Sequence, residues 1–140
     1  MNSAKAVLAR WRHDRIELNP PASDVELARL ADFLGGLVPA DLLELYSMTN
    51  GMVDNAMDAM NVSVWSVDRV LRENDIVDRA GQRWIAFADF LVYSWCFRLA
   101  PREAHTQVLA ESTGEEFASL ADFFKRYATE PESLGLVKAG

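Results

Sequence analysis

From residue 84 onward, three runs rich in aromatic and branched side chains follow one another, at 84–88, 92–99 and 106–110, with no helix-like stretch between them. Such residues suit the pleated, half-buried surface of a sheet. The first fifty residues are instead patterned as helices, and one helical stripe returns near the end. Helices and strands are therefore segregated along the chain. That excludes an alternating βαβ sheet and predicts an α+β fold with a mostly antiparallel sheet. At 140 residues, half of them hydrophobic, the chain is expected to form one domain with its own core, and general disorder is excluded.

The punctuation is ordinary turn chemistry. Ala4, Val7, Leu8 and Trp11 recur at helical spacing over residues 3–13. Asn19-Pro20-Pro21 cannot continue that helix. Ser23 with Glu26 is a capping box, and Leu27, Leu30, Ala31 and Leu34 form the stripe behind it until Gly35-Gly36. Pro39 opens a third helix carrying Leu42, Leu43, Leu45 and Tyr46, and Asn50-Gly51 ends it. Residues 52–61, rich in Met, Asp and Asn, read as an exposed loop. Val62, Val64 and Trp65 form a short strand, and Ser66 caps a short helix through Val67, Val70 and Leu71. Residues 111–117 read as a turn around Gly114. Ser119 caps a last helix with Leu120, Phe123, Phe124 and Tyr127 on its apolar side. After Pro131 the tail, 131–140, is expected to be loosely held.

Charge narrows the function. The net charge is −7 and the sequence pI is about 4.8. Residues 1–19 carry +2, residues 20–61 carry −6, residues 62–83 balance, and residues 84–140 carry −3. Nucleic acid is excluded as the main ligand, because phosphate contacts need clustered Lys and Arg. An acidic face suits a basic protein partner, although acidity also serves plain solubility. The single cysteine, Cys96, excludes an intramolecular disulfide and a zinc knuckle, and fits a reducing compartment. The longest apolar stretch, 84–97, is broken by Asp89 and is too short to span a membrane. The basic N-terminus lacks the apolar run of a secretory leader. A soluble, cytoplasmic protein is expected.

Reactive side chains are few. His13 sits among Arg12, Asp14 and Arg15, and His105 begins a strand beside Glu103. Two histidines this far apart in sequence are weak evidence for a metal site, and either with Cys96 is weak evidence for a Cys–His pair. Cys96, between Trp95 and Phe97, reads as a small hydrophobe. Asp54 and Asp58 lack the ladder of a calcium loop and read as solvated charges. There is no phosphate-binding glycine loop, nucleophile elbow or zinc-protease motif. No catalytic residue, metal or cofactor is expected. The aromatics Trp65, Trp84, Trp95, Phe87, Phe90 and Phe97 read mainly as core, with one or two free to line a binding face.

Four blocks in order resemble the SUKH superfamily, bacterial immunity proteins related to the yeast regulator of cell-wall synthesis. Val38-Pro39-Ala40-Asp41-Leu42, with Leu45-Tyr46 and Asn50-Gly51, is similar to that family's LP-x-D helix and NG turn. Val64-Trp65-Ser66-Val67-Asp68-Arg69-Val70, with Asn74, resembles its strand and short helix. Trp84-Ile85-Ala86-Phe87-Ala88-Asp89 resembles its F-A-D strand, and Ser119-Leu120-Ala121-Asp122-Phe123-Phe124 its last helix. The blocks span about residues 23–128. One departure is local: many members place a glycine soon after F-A-D, where this chain has Phe90-Leu91-Val92-Tyr93-Ser94. The resemblance implies a curved antiparallel sheet packed on helices, no cofactor, and action by binding, mostly neutralisation of polymorphic toxins inside the producing cell.

The resulting expectation is an immunity protein that occludes a basic, possibly nuclease, toxin domain. On charge and expected exposure, Asp54, Asp58, Trp65 and Asp89 are the candidate partner-binding residues. The alternative is a regulatory or scaffolding module for endogenous proteins. A small-substrate enzyme would need His105 or Cys96 to share a pocket with a carboxylate. Exposed sheet edges would also allow a dimer.

Overall fold

The computed structural model describes residues 3–136. Helix α1 (Ser3–His13) turns Ala4, Val7, Leu8 and Trp11 inward, the stripe its spacing dictates. Helix α2 (Asp24–Leu34) starts at a complete capping box. Glu26 N donates to Ser23 Oγ at 3.1 Å, and Ser23 N donates to the Glu26 carboxylate at 2.8 Å. Helix α3 (Ala40–Met48) follows Pro39 and buries Leu42, Leu45 and Tyr46, whereas Leu43 faces outward.

Strands β1 (Val62–Val64), β2 (Val77–Arg79), β3 (Gln82–Phe90), β4 (Trp95–Pro101), β5 (Thr106–Ala110) and β6 (Glu115–Phe117) form one antiparallel sheet. Its order is β1-β3-β4-β5-β6, and β2 shares the outer edge of β3 with β1. Between those two short partners the β3 edge would be orphaned. Asn74 closes it: Ala86 N donates to Asn74 Oδ1 at 3.0 Å, and Asn74 Nδ2 donates to Ala86 O at 2.8 Å. A register shift between Ala86 and Ala88 bends β3 against β4. Helix α4 (Val67–Arg72), capped by Ser66, lies between β1 and β2.

Helix α5 (Leu120–Thr129) covers the sheet. Phe123 is the hub: its ring lies 4.9 Å from Phe97, 5.6 Å from Phe117 and 6.1 Å from Phe87. Asp41, in the first turn of α3, ties three elements together. Its carboxylate accepts from Thr106 N at 3.0 Å, Thr106 Oγ1 at 2.7 Å and Leu120 N at 3.2 Å. Trp84, Ala100 and Leu109 form a separate small cluster of their own.

Four expectations need correction. The strand expected from residue 92 begins at Trp95, because residues 91–94 form a tight turn. The stretch 111–117 is a hairpin whose second arm is β6, and β2, which the sequence pattern left unassigned, pairs with Gln82, Arg83 and Trp84 so that β3 starts two residues before the expected strand. Residues 52–61 are not wholly exposed, since Met52 and Asp58 are buried. The C-terminal segment is packed through residue 136: Pro131–Leu134 forms a 3-10 turn, Leu134 and Leu136 are buried, and Ser112 Oγ donates to Leu134 O at 2.6 Å. The rest of the expected loose tail, 137–140, lies outside the described residues.

Candidate protein-docking face

Asp89 ends the F-A-D motif on β3 and is 2% exposed. It therefore offers no surface charge, contrary to the expectation that it would meet a partner. Its Oδ1 accepts from Trp65 Nε1 at 3.1 Å, its Oδ2 accepts from Tyr93 N at 2.9 Å, and Arg69 Nη2 lies 3.5 Å away. Trp65, also expected at the surface, is fully buried. These two residues instead pin the turn that follows.

That turn is unusual. Leu91, Val92 and Tyr93 have φ of 43°, 50° and 67°, three consecutive left-handed residues without a glycine. Each such L-residue costs about 1–2 kcal/mol, and a β-branched side chain such as Val92 is especially disfavoured. The conformation holds because it is heavily pinned. Leu91 N donates to Asn61 O at 3.0 Å, Ser94 N to Phe90 O at 3.0 Å, and Ser94 Oγ to Leu91 O at 3.0 Å. The Tyr93 hydroxyl donates to Glu73 Oε1 at 2.5 Å. Arg69 lies 4.6 Å over the Trp65 ring and 5.4 Å from the Tyr93 ring. Its Nε is 3.4 Å from Glu73 Oε2, an ion pair without hydrogen-bond geometry. The product of this scaffolding is an apolar tip: Leu91 is 44% exposed, Val92 72% and Tyr93 43%.

Acidic side chains adjoin the tip. Glu73, under Tyr93, also accepts from Arg72 Nη2 at 2.7 Å. Arg72 reaches Asp54 at 3.0 Å and contacts Asp68. Arg72 is thus shared by three carboxylates, and with the buried Arg69 between Glu73 and Asp89 two guanidiniums face four carboxylates, so the group stays negative. The Tyr93 hydroxyl and then Arg72 hold the Glu73 carboxyl below the usual carboxylate range. Burial, and then the bond to Glu73, push the Tyr93 phenol up to about 12. Hydrogen bonds to Glu73 and Asp54 push Arg72 above its ordinary value. Asp54 is the one candidate acid of the four expected residues that stands at the surface here.

Asp58 is buried, contrary to its expected exposure. Its carboxylate accepts from Trp11 Nε1 at 3.0 Å, Met60 N at 2.9 Å, Val62 N at 3.1 Å and the Tyr127 hydroxyl. It joins α1, α5 and β1, and burial together with this acid raises Tyr127 well above a normal phenol. An apolar cleft of about 320 Å³, walled by Val7, Met60, Ala128 and Pro131, opens beside it.

His13 is exposed at the end of α1, and His105 is exposed in the β4–β5 turn. Cys96 is buried, and burial pushes its thiol up to about 12, so it is protonated at neutral pH. Among the described residues no three His, Cys, Asp or Glu side chains converge as metal ligands, and no helix is long and apolar enough to cross a membrane.

Sequence pattern alone conceals the tip Leu91–Tyr93, because Val and Tyr are strand formers. The one signal for it was the missing glycine after F-A-D. A scan against protein-family models finds no match to this chain, and a search of curated proteins finds none either.

Proposed function

We propose that this chain is a non-enzymatic, cytoplasmic protein-binding domain that acts as an immunity protein, neutralising a basic toxin domain by covering it. The observation that carries the binding reading is the exposed Leu91-Val92-Tyr93 turn beside an acidic patch. Large side chains held in solvent on a strained backbone are poor choices for folding alone, and such outliers cluster at functional sites. The acidic neighbours would steer a basic partner, and the apolar tip would then slow its release. A toxin that acts on a polyanion is basic for the same reason that it binds its substrate. The toxin assignment itself rests on the four ordered blocks that resemble the SUKH superfamily.

The test is a pull-down with the tagged protein from its own organism at moderate salt, followed by elution at high salt and mass spectrometry. The expected catch is a large secreted protein with a basic, toxin-like C-terminal domain. Expressed alone, that domain should arrest growth, and co-expression of this chain should restore it. Recovery of envelope-regulating or housekeeping proteins alone would replace immunity with a regulatory role.

A further inference from the structure

We infer that the 91–93 turn is a preformed anchor: Leu91 and Val92 enter an apolar recess on the basic partner, and cationic side chains rimming that recess meet Asp54, Asp68 and Glu73. This rests on the protein-binding reading and specifies its contact surface.

Three observations converge on it. The first is that the strain lies where the fold gains least. The Val92 side chain is 72% exposed, so a glycine there would close the same hairpin with no left-handed penalty and little lost packing. A valine held at φ 50° with its side chain in solvent points to a use for that side chain outside the fold. The second is that the turn needs no ordering on contact. Its backbone is bonded to Asn61, Phe90 and Asp89, and Tyr93 is fastened to Glu73 and stacked beside Arg69. A loop already fixed in its bound shape loses little entropy on docking. The third is continuity of charge. From Tyr93 the contacts run through Glu73 to Arg72, and from Arg72 to Asp54 and Asp68, so the apolar tip and the acidic rim form one surface. An apolar centre ringed by charge is the usual anatomy of a protein interface.

The anchor is tested by site-specific photo-crosslinking of the full chain in its own organism. Benzoylphenylalanine is placed separately at Val92, at Asp54 and at His105, which lies in the turn at the far end of β4. The expected result is one adduct of the same basic protein from positions 92 and 54, and none from 105. An adduct from 54 without one from 92 would overturn the anchor while leaving the protein-binding reading intact. No adduct from 92 or 54 would overturn both. An acidic partner, or a second copy of this chain, would overturn the anchor together with the basic-toxin assignment. Equal labelling from 105 would mark a nonspecific surface and overturn the anchor. The strain is tested without any partner. Val92→Gly should leave the urea midpoint unchanged or raise it, while Val92→Ile keeps both side chain and crosslinkable binding. A midpoint clearly lowered by Val92→Gly would show that the turn serves the fold, and the anchor would fail.

Discussion

Gly51 offers a sharp test of how closely the NG turn packs on the strand behind Trp65. It has φ +71°, and a Cβ built there would sit 2.6 Å from both the carbonyl carbon and oxygen of Trp65, and 2.8 Å from Ser66 N. Carbon atoms in contact prefer about 3.5–4.0 Å, so the intrusion is on the order of 1 Å. Neither side can yield freely. Trp65 O accepts from the Tyr46 hydroxyl at 2.8 Å, while Met52 N donates to Val64 O at 2.8 Å and Asn50 N to Pro20 O at 2.8 Å. The Asn50 side chain also accepts from Val67 N and donates to Glu26. Gly51→Ala should therefore combine a left-handed penalty of about 1–2 kcal/mol with an overpacking cost of about 1–3 kcal/mol. Gly81 is the control: at φ +78° it has nothing within 4 Å of its Cβ position. Gly81→Ala should show the left-handed penalty alone. Urea denaturation followed by tryptophan fluorescence separates the two. With a slope of about 2 kcal/mol per M, Gly51→Ala should lower the midpoint by ~1.5 M and Gly81→Ala by ~0.5 M. Equal shifts would refute the contact argument.

Asp58→Asn should cost about 3 kcal/mol, because two charge-assisted bonds, from Trp11 and Tyr127, would face an amide that is itself a donor. Asp54→Lys, at a half-exposed ion pair, should stay within about 1 kcal/mol of wild type; thermal unfolding of the pair checks both values. Charge-reversal tests of partner binding therefore belong at Asp54 and Asp68, not at Asp58. All three tyrosines should resist ionisation in the native state, with Tyr93 shifted to about 12 and Tyr46 and Tyr127 raised by burial. Raised folded values mean stability is full below about pH 10 and falls above it, as unfolded tyrosines begin to ionise. Tyrosinate absorbance from Tyr46 and Tyr127 should appear only together with unfolding, whereas the exposed Tyr93 can ionise in the folded state near its raised value; early, non-cooperative titration of more than one tyrosine would contradict the burial. Glu73 has the opposite sign. Its lowered folded value gives stability that is full above the ordinary carboxylate range and is lost as pH falls through the folded value. Glu73→Gln should flatten the fall of the melting temperature below about pH 4, and an unchanged slope would remove the Tyr93–Glu73 bond from the account.

Much of the fold was legible because its signals are local. Ser23 and Glu26 are three residues apart, and the helix begins where their reciprocal bonds require. The stripe Ala4, Val7, Leu8, Trp11 needs only the helical period. Ser66 and Ser119 both cap as their neighbours predict. The fate of the acids was not local. Asp58 is buried because of Trp11 and Tyr127, 47 and 69 residues away, and Asp89 because of Trp65, 24 residues away. A carboxylate in a polar stretch gives no sign of such donors. The same blindness hid Asn74, whose amide completes a strand edge twelve residues on.

The turn at residues 91–93 is illegible for a different reason, and that reason bears on its role. Local preference there is strong and points the wrong way: branched and aromatic residues favour a strand, and none favours positive φ. Among the other described left-handed positions, most are held by glycine or asparagine; Arg15 at φ 58° and Ala80 at φ 52° are isolated exceptions, and neither is β-branched or part of a consecutive run. Gly35, Gly51, Gly81, Gly114 and Gly135 all occupy the left-handed positions where glycine is the cheapest choice. A chain that uses glycine for those reversals has no difficulty placing one at 92. Its absence therefore reflects a demand on the side chains themselves. Conflicts between local preference and fold are expected at sites kept for function. Here the conflict falls on a hairpin whose tip is apolar, exposed and bonded to an acidic rim, and that coincidence makes residues 91–93 the first place to look for the partner.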